Sequence, residues 1–143
     1  KEAEKDKKPC WENVQIIRGN WYSQALTDSD IRDLYNYSEF VIITLRDTFQ
    51  PSGQSTTLQA MACEKAVMIS NIKGIWDRNL LKHGENIYFL KKGDKKHLAE
   101  AVRLFLSNYK LKRSIEINSR KLVEDYFNIE YMKNNLKEII EGK

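Results

Sequence analysis

The sequence predicts an α/β fold: a parallel sheet flanked by helices, with further helices closing the chain. Three observations lead there. Short runs such as FVIIT (40–44) and AVMIS (66–70) are apolar throughout, as strands covered on both faces must be. Between them lie stretches whose apolar residues recur at helical spacing. The alternation of the two patterns favours a parallel sheet over hairpins.

Each element follows from its own residues. A chain of 143 residues suits one compact domain with a full core. Residues 1–13 alternate positive and negative charge with almost nothing to bury, and read as a flexible lead-in. VQII (14–17), stopped by Arg18, Gly19 and Asn20, reads as a buried strand and turn. TDSDIRDLYNYS follows, with Thr27 or Asp28 as cap, acids in the first turn, and Ile31, Leu34 and Tyr35 at helical spacing. FVIIT is the next strand, and a polar loop, 45–53, leads from it into PSGQSTTLQAMAC (51–63). There Leu58, Met61 and Ala62 mark a helix as its core side chains. AVMIS is a buried strand, residues 76–81 read as a short helix, and NIYFL (86–90) as a fourth strand. Leu98, Ala101, Val102, Phe105 and Leu106 then form an apolar stripe. Helices over roughly 110–126 and 129–141 close the chain, the last with Ile129, Met132, Leu136, Ile139 and Ile140 on one side. The division expected is a lead-in over 1–13, a sheet domain over 14–108, and helices packing on it over 109–143.

Composition narrows the function classes. No apolar run approaches the roughly 20 residues of a membrane span, and KEAEKDKKPC carries no apolar stretch behind its charges. Cys10 and Cys63 fit no metal or redox spacing and read as free thiols. A cytoplasmic protein is expected. The net charge of +4 is concentrated in residues 73–97, which hold seven Lys/Arg against three Asp/Glu. These lysines do not alternate with aromatic residues as a single-strand platform would need, so no nucleic-acid partner is expected. A solvated face is one reading of the charge. Attraction to an anionic ligand, or peripheral contact with an acidic inner membrane face, is the other. His83 falls in a turn and His97 starts a helix, where surface roles are expected of both.

In a parallel sheet, ligands bind beyond the carboxyl ends of the strands, which is where FVIIT delivers the 45–53 loop. A helix starting at Gln54 or Ser55 has first-turn N–H groups with no partners in the helix, and its dipole adds partial positive charge. Gly53 lets a ligand approach the backbone, and the hydroxyls of Ser55, Thr56 and Thr57 are further donors. That combination holds phosphate. A Ser/Thr cap on a core helix, with no ligand, explains the same residues. No G-x-x-x-x-G-K-[ST], G-x-G-x-x-G or nucleophile elbow is present.

SDIRDLYNYSEFVIITLRDTFQPSGQSTTLQAMACEKAVMISNIKG and LLKHGENIYFLKKGDKKHLAEAVRLFLSN resemble, in order and spacing, the C-terminal domain of GT-B-fold glycosyltransferases. The likeness is to the large retaining family 4, covers residues 19–108, and extends to a similar tail at SRKLVEDYFNIEYM. It implies a Rossmann-like domain, incomplete at its N-terminal side, that binds a UDP-, GDP- or ADP-linked sugar in a cleft facing a separate N-terminal acceptor domain. It implies transfer with retention, in glycan or cell-surface polysaccharide synthesis, without metal or cofactor. The diphosphate would lie on Gly53, Gln54, Ser55, Thr56 and Thr57, and the ribose on Gln59, where the family carries glutamate. The base would meet Gly19, Asn20 and Trp21. Asp47, Pro51 and Asp77 would stand on the sugar side, unless Asp77 simply caps a helix. The family's first carboxylate falls at Pro51, which has none, and its earlier GR…KG segment is not found. The resemblance therefore implies part of an enzyme, inactive alone, with no catalytic residue assigned. A non-catalytic α/β nucleotide- or sugar-binding module is the alternative, and a sugar-nucleotide epimerase of the same fold a third.

Overall fold

The structure is a computed structural model that describes residues 13–17 and 26–142. Its first helix, α1 (Asp28–Tyr37), is started by Thr27, whose hydroxyl accepts the Asp30 amide while Asp30 reaches back to the Thr27 amide. This reciprocal box satisfies two of the donors a helix start leaves open. Then come β1 (Val41–Ile43), α2 (Gln54–Ala62), β2 (Val67–Ser70), β3 (Tyr88–Leu90), α3 (Lys95–Ser107), α4 (Tyr109–Tyr126) and α5 (Ile129–Glu141).

The three strands form one parallel sheet in the order β1-β2-β3, with Val41 opposite Val67 and Met68 opposite Tyr88. β2 is central, and all four of its residues are buried. Successive side chains of a strand point to opposite faces, and β2 divides accordingly. Val67 and Ile69 join Ala60 and Met61 of α2 and Leu122 of α4 on one face. Met68 joins Ala101 and Phe105 of α3 and Ile115 of α4 on the other. The Phe105 ring meets Phe40 and Tyr88 edge-on, at 5.8 and 5.2 Å between centroids. α4 therefore serves both cores and locks the two helical layers to one sheet.

Several sequence expectations need correction. Val14, Ile16 and Ile17 form no strand and are 45%, 51% and 42% exposed, so the sheet has three strands among the described residues. An apolar run becomes a strand only when a neighbour completes its ladder, and none of the described residues does so here. β1 is shorter than FVIIT and, among the described residues, pairs with β2 alone; its Ile42 is 40% exposed. Residues 76–81 make one turn and no α-helix. The Asp77 carboxylate accepts the Asn79 and Leu80 amides at 3.0 Å, and Asn86 then takes the Lys82 amide and donates to the Leu80 carbonyl. Those side chains replace the backbone bonds a longer helix would make. In α2, Ala60 and Met61 are core, whereas Leu58 and Ala62 are half-buried. Leu106 is exposed on α3, and α5 has no buried residue, so its apolar stripe stays open. Cys63 is a free, half-buried thiol; Cys10 lies outside the described residues.

Candidate functional site

The site is built where the three strands end. Ser70, the last residue of β2, accepts the Leu45 amide at 3.0 Å and fixes the start of the 45–53 loop. At its other end Gly53 caps α2 in the left-handed conformation, φ 75°. A Cβ there would lie 3.2 Å from both Ile43 and Ile69 side chains, so glycine satisfies the dihedral and the packing together. No side chain caps α2. Thr57 is the first amide of the helix to find a carbonyl, that of Gly53 at 2.9 Å. The amides of Gln54, Ser55 and Thr56 precede it and point out of the helix end, and all three residues are exposed.

Thr57 differs from its neighbours. It shares a helix face with Ala60 and Met61, is fully buried, and its hydroxyl meets no partner. Helical periodicity turns it into the sheet, so its side chain is not a donor at the exposed helix start. Gln59 stands one turn beyond Ser55 on the exposed side, near a cleft of about 290 Å³ between α1 and α2, where Tyr35 donates to its Oε1 at 3.4 Å. Pro51 is exposed in the loop. Asp77 is engaged as the turn cap described above. Gly19, Asn20 and Trp21 lie outside the described residues.

The other strand-end loops close on the first. Gly74, after β2, is buried so tightly that a Cβ would stand 2.3 Å from the Gln50 carbonyl and 2.8 Å from that of Thr48. Lys73 beside it rests its ammonium on the Phe49 ring, 4.9 Å from the centroid. Asp47 bridges all three loops: one oxygen accepts the Lys73 amide at 3.3 Å, the other the Lys92 ammonium at 2.6 Å. The Lys92 hydrogen bond, reinforced by the Lys73 amide, holds the Asp47 carboxyl below its ordinary pKa. Ser70, Gly74, Lys73 and Lys92 were not singled out from the sequence, because each acts on a residue remote along the chain. The two histidines bind backbone: His83 Nδ1 accepts the Phe89 amide at 2.9 Å and His97 Nδ1 that of Lys91 at 3.1 Å. Among the described residues no group of three His, Cys, Asp or Glu could hold a metal ion, and no helix is long and apolar enough to cross a membrane.

A parallel sheet covered on two faces, with a helix start that lacks a side-chain cap at its carboxyl edge, defines an α/β domain of Rossmann-like type. More specifically, this chain belongs to the glycosyl transferases group 1 family, which residues 5–122 match, and its fold is that of the C-terminal domain of GT-B glycosyltransferases. It is 30% identical over 115 residues to the capsular polysaccharide biosynthesis glycosyltransferase CapM of Staphylococcus aureus, covering 76% of this chain and 29% of that protein. The crystal structure of Anabaena HepE in complex with UDP superimposes with a TM-score of 0.69 at 21% identity, over 80% of this chain and 30% of that one. The C-terminal domain of LpcC, a group 1 family protein from Francisella tularensis, gives 0.61 at 23% identity, over 72% of this chain and 50% of that one. The chain thus spans under a third of CapM and of HepE, and half of the LpcC domain structure.

Proposed function

We propose that this domain holds the nucleotide-diphosphate sugar donor of a GT-B glycosyltransferase, whose acceptor is bound by a separate N-terminal domain. The observation that carries the reading is the α2 start: a left-handed glycine cap, no side-chain cap, and exposed Gln54, Ser55 and Thr56 at the carboxyl edge of the sheet. The amides of Gly53, Gln54, Ser55 and Thr56, with the hydroxyls of Ser55 and Thr56, would take the diphosphate. As the glycosidic bond breaks, negative charge builds on the leaving diphosphate, and donors already in place stabilise it without reorganisation. Gln59 would position the ribose, its amide able to donate to or accept from a hydroxyl. Support comes from HepE, whose crystal structures are complexes with UDP and UDP-glucose, and from CapM, named for capsular polysaccharide biosynthesis. On this reading transfer proceeds with retention, in polysaccharide synthesis, and without a metal. The domain alone binds donor and does not turn it over.

A second reading, a non-catalytic binding module, is favoured by one observation. Pro51 brings no carboxylate, and Asp47, the nearest replacement, is already bound to Lys92 and the Lys73 amide. Amide NMR titration with UDP, GDP, ADP and UDP-glucose tests the donor site. Shifts at Gly53 to Thr56, abolished by Ser55→Glu, are expected; no response to any of the four at millimolar concentration overturns it. Reconstitution with the N-terminal domain separates the two readings, because a module with no turnover of any nucleotide sugar is not a transferase.

A further inference from the structure

The Asp47–Lys92 contact joins residues 45 positions apart on loops that follow the first and last strands of the sheet. A lone surface ion pair contributes little. This one sits differently. Both residues are solvent-exposed, but Asp47 belongs to the loop that runs into the α2 start, and its second oxygen is taken by a backbone amide. The charges at this edge are lopsided. Arg46, Lys73, Lys91, Lys92 and Lys95 stand against Asp47 and Asp94, and Asp47 is the acidic residue within the 45–53 loop itself. Asp47 is the carboxylate of the loop that leads into α2, and Lys92 lies directly on it.

We propose that Lys92 tunes the donor site through Asp47, cancelling the one loop charge that would repel a diphosphate at the start of α2. The inference rests on the donor reading above. It gives Lys92 no contact with the ligand: without its ammonium, an ionised Asp47 would raise the negative potential where the phosphates bind. The lowered pKa of Asp47 is consistent with this, since Lys92 keeps the carboxylate ionised and paired.

The test is a titration of the 143-residue chain with whichever of UDP, GDP or ADP moves the Gly53 to Thr56 amides. Four variants are compared with the parent: Lys92→Met, Lys92→Arg, Asp47→Asn, and Lys92→Met combined with Asp47→Asn. Lys92→Met is expected to weaken diphosphate binding about fivefold to tenfold at low salt, with the loss shrinking as salt is raised. Lys92→Arg should stay within about twofold of the parent, because the charge is kept. The double variant should recover to within about twofold, because the repelling charge has gone with its partner. A Lys92→Met variant that binds like the parent overturns the proposal and leaves an idle surface pair. A double variant as weak as Lys92→Met also overturns it, since the pair would then act as a mechanical tie. If none of the three nucleotides moves the α2-start amides of the parent, it is the donor reading itself that falls.

Discussion

Gly74→Ala is the sharpest perturbation of the site that leaves every candidate ligand-binding residue in place. Gly74 does not need glycine for its dihedrals, since its φ lies outside the left-handed region. It needs glycine for space. A methyl group would stand 2.3 Å from the Gln50 oxygen, 2.8 Å from the Thr48 oxygen and 2.9 Å from the Gln50 carbonyl carbon. Ordinary contact lies about 1 Å further out, so the 48–50 backbone must retreat by roughly that distance. All three obstructing atoms are backbone, so no side-chain rotation relieves the clash. Overpacking of this kind costs about 1–3 kcal/mol, which for a domain of this size lowers Tm by about 3–10 °C. The displacement runs straight into Gly53, so the amides of 48–56 should shift and nucleotide diphosphate binding should weaken. Gly84→Ala and Gly93→Ala are the controls. Both glycines have positive φ, 77° and 69°, with open space where a Cβ would go. They should cost about 1–2 kcal/mol from the dihedral alone and leave the α2 amides unmoved. Urea denaturation and amide spectra decide the matter. A Gly74→Ala protein within about 0.5 kcal/mol of the parent, with unshifted amides over 48–56, would refute the close-approach argument.

Thr57→Val exchanges a buried, unpartnered hydroxyl for a methyl of the same shape, and should raise stability by about 1 kcal/mol while sparing nucleotide binding; a lower urea midpoint would mean that the hydroxyl has a partner. Thr27→Ala removes the α1 cap and should lower amide protection across Asp28–Tyr37 roughly fivefold. It should also return the Asp30 pKa towards its ordinary value, since the Thr27 hydroxyl is the main cause of its depression. Asp47 carries a pH signature of definite sign. Its folded pKa is lowered, so its contribution to stability is complete above the ordinary aspartate value of about 3.9 and fades as pH falls through the lowered one. Carboxyl-carbon NMR should find a midpoint below that ordinary value in the parent and a raised one in Lys92→Met; a normal midpoint in the parent would rule out the pairing.

What the chain reveals locally, it reveals in its sequence. Thr27 or Asp28 with the acids after it announces the start of α1, and the structure selects Thr27 through its box with Asp30. FVIIT and AVMIS announce two strands and Leu98 to Phe105 the stripe of α3, because periodicity expresses burial within one element. The α2 start was legible as well, a glycine before a run of small donors having few structural uses. Burial from outside an element is a different matter. VQII reads as a strand by composition, yet Val14 and Ile17 stay exposed, since a strand exists only with its neighbour. Thr57 reads as one more donor in a row of hydroxyls, yet the phase of α2 against the sheet turns it inward, and that phase is set by Ala60 and Met61 packing on β2. The 76–81 segment carries a helical pattern that the side chains of Asp77 and Asn86 interrupt. The sequence by itself determined the parallel α/β class and the glycine-led helix start that follows the first strand. Only the tertiary structure decided which loops close over that edge, through the Gly74 contact with Gln50 and the Asp47 bond to Lys92. The physical reason is that these are pair interactions between distant residues, and the chemistry of either partner alone carries no sign of the other.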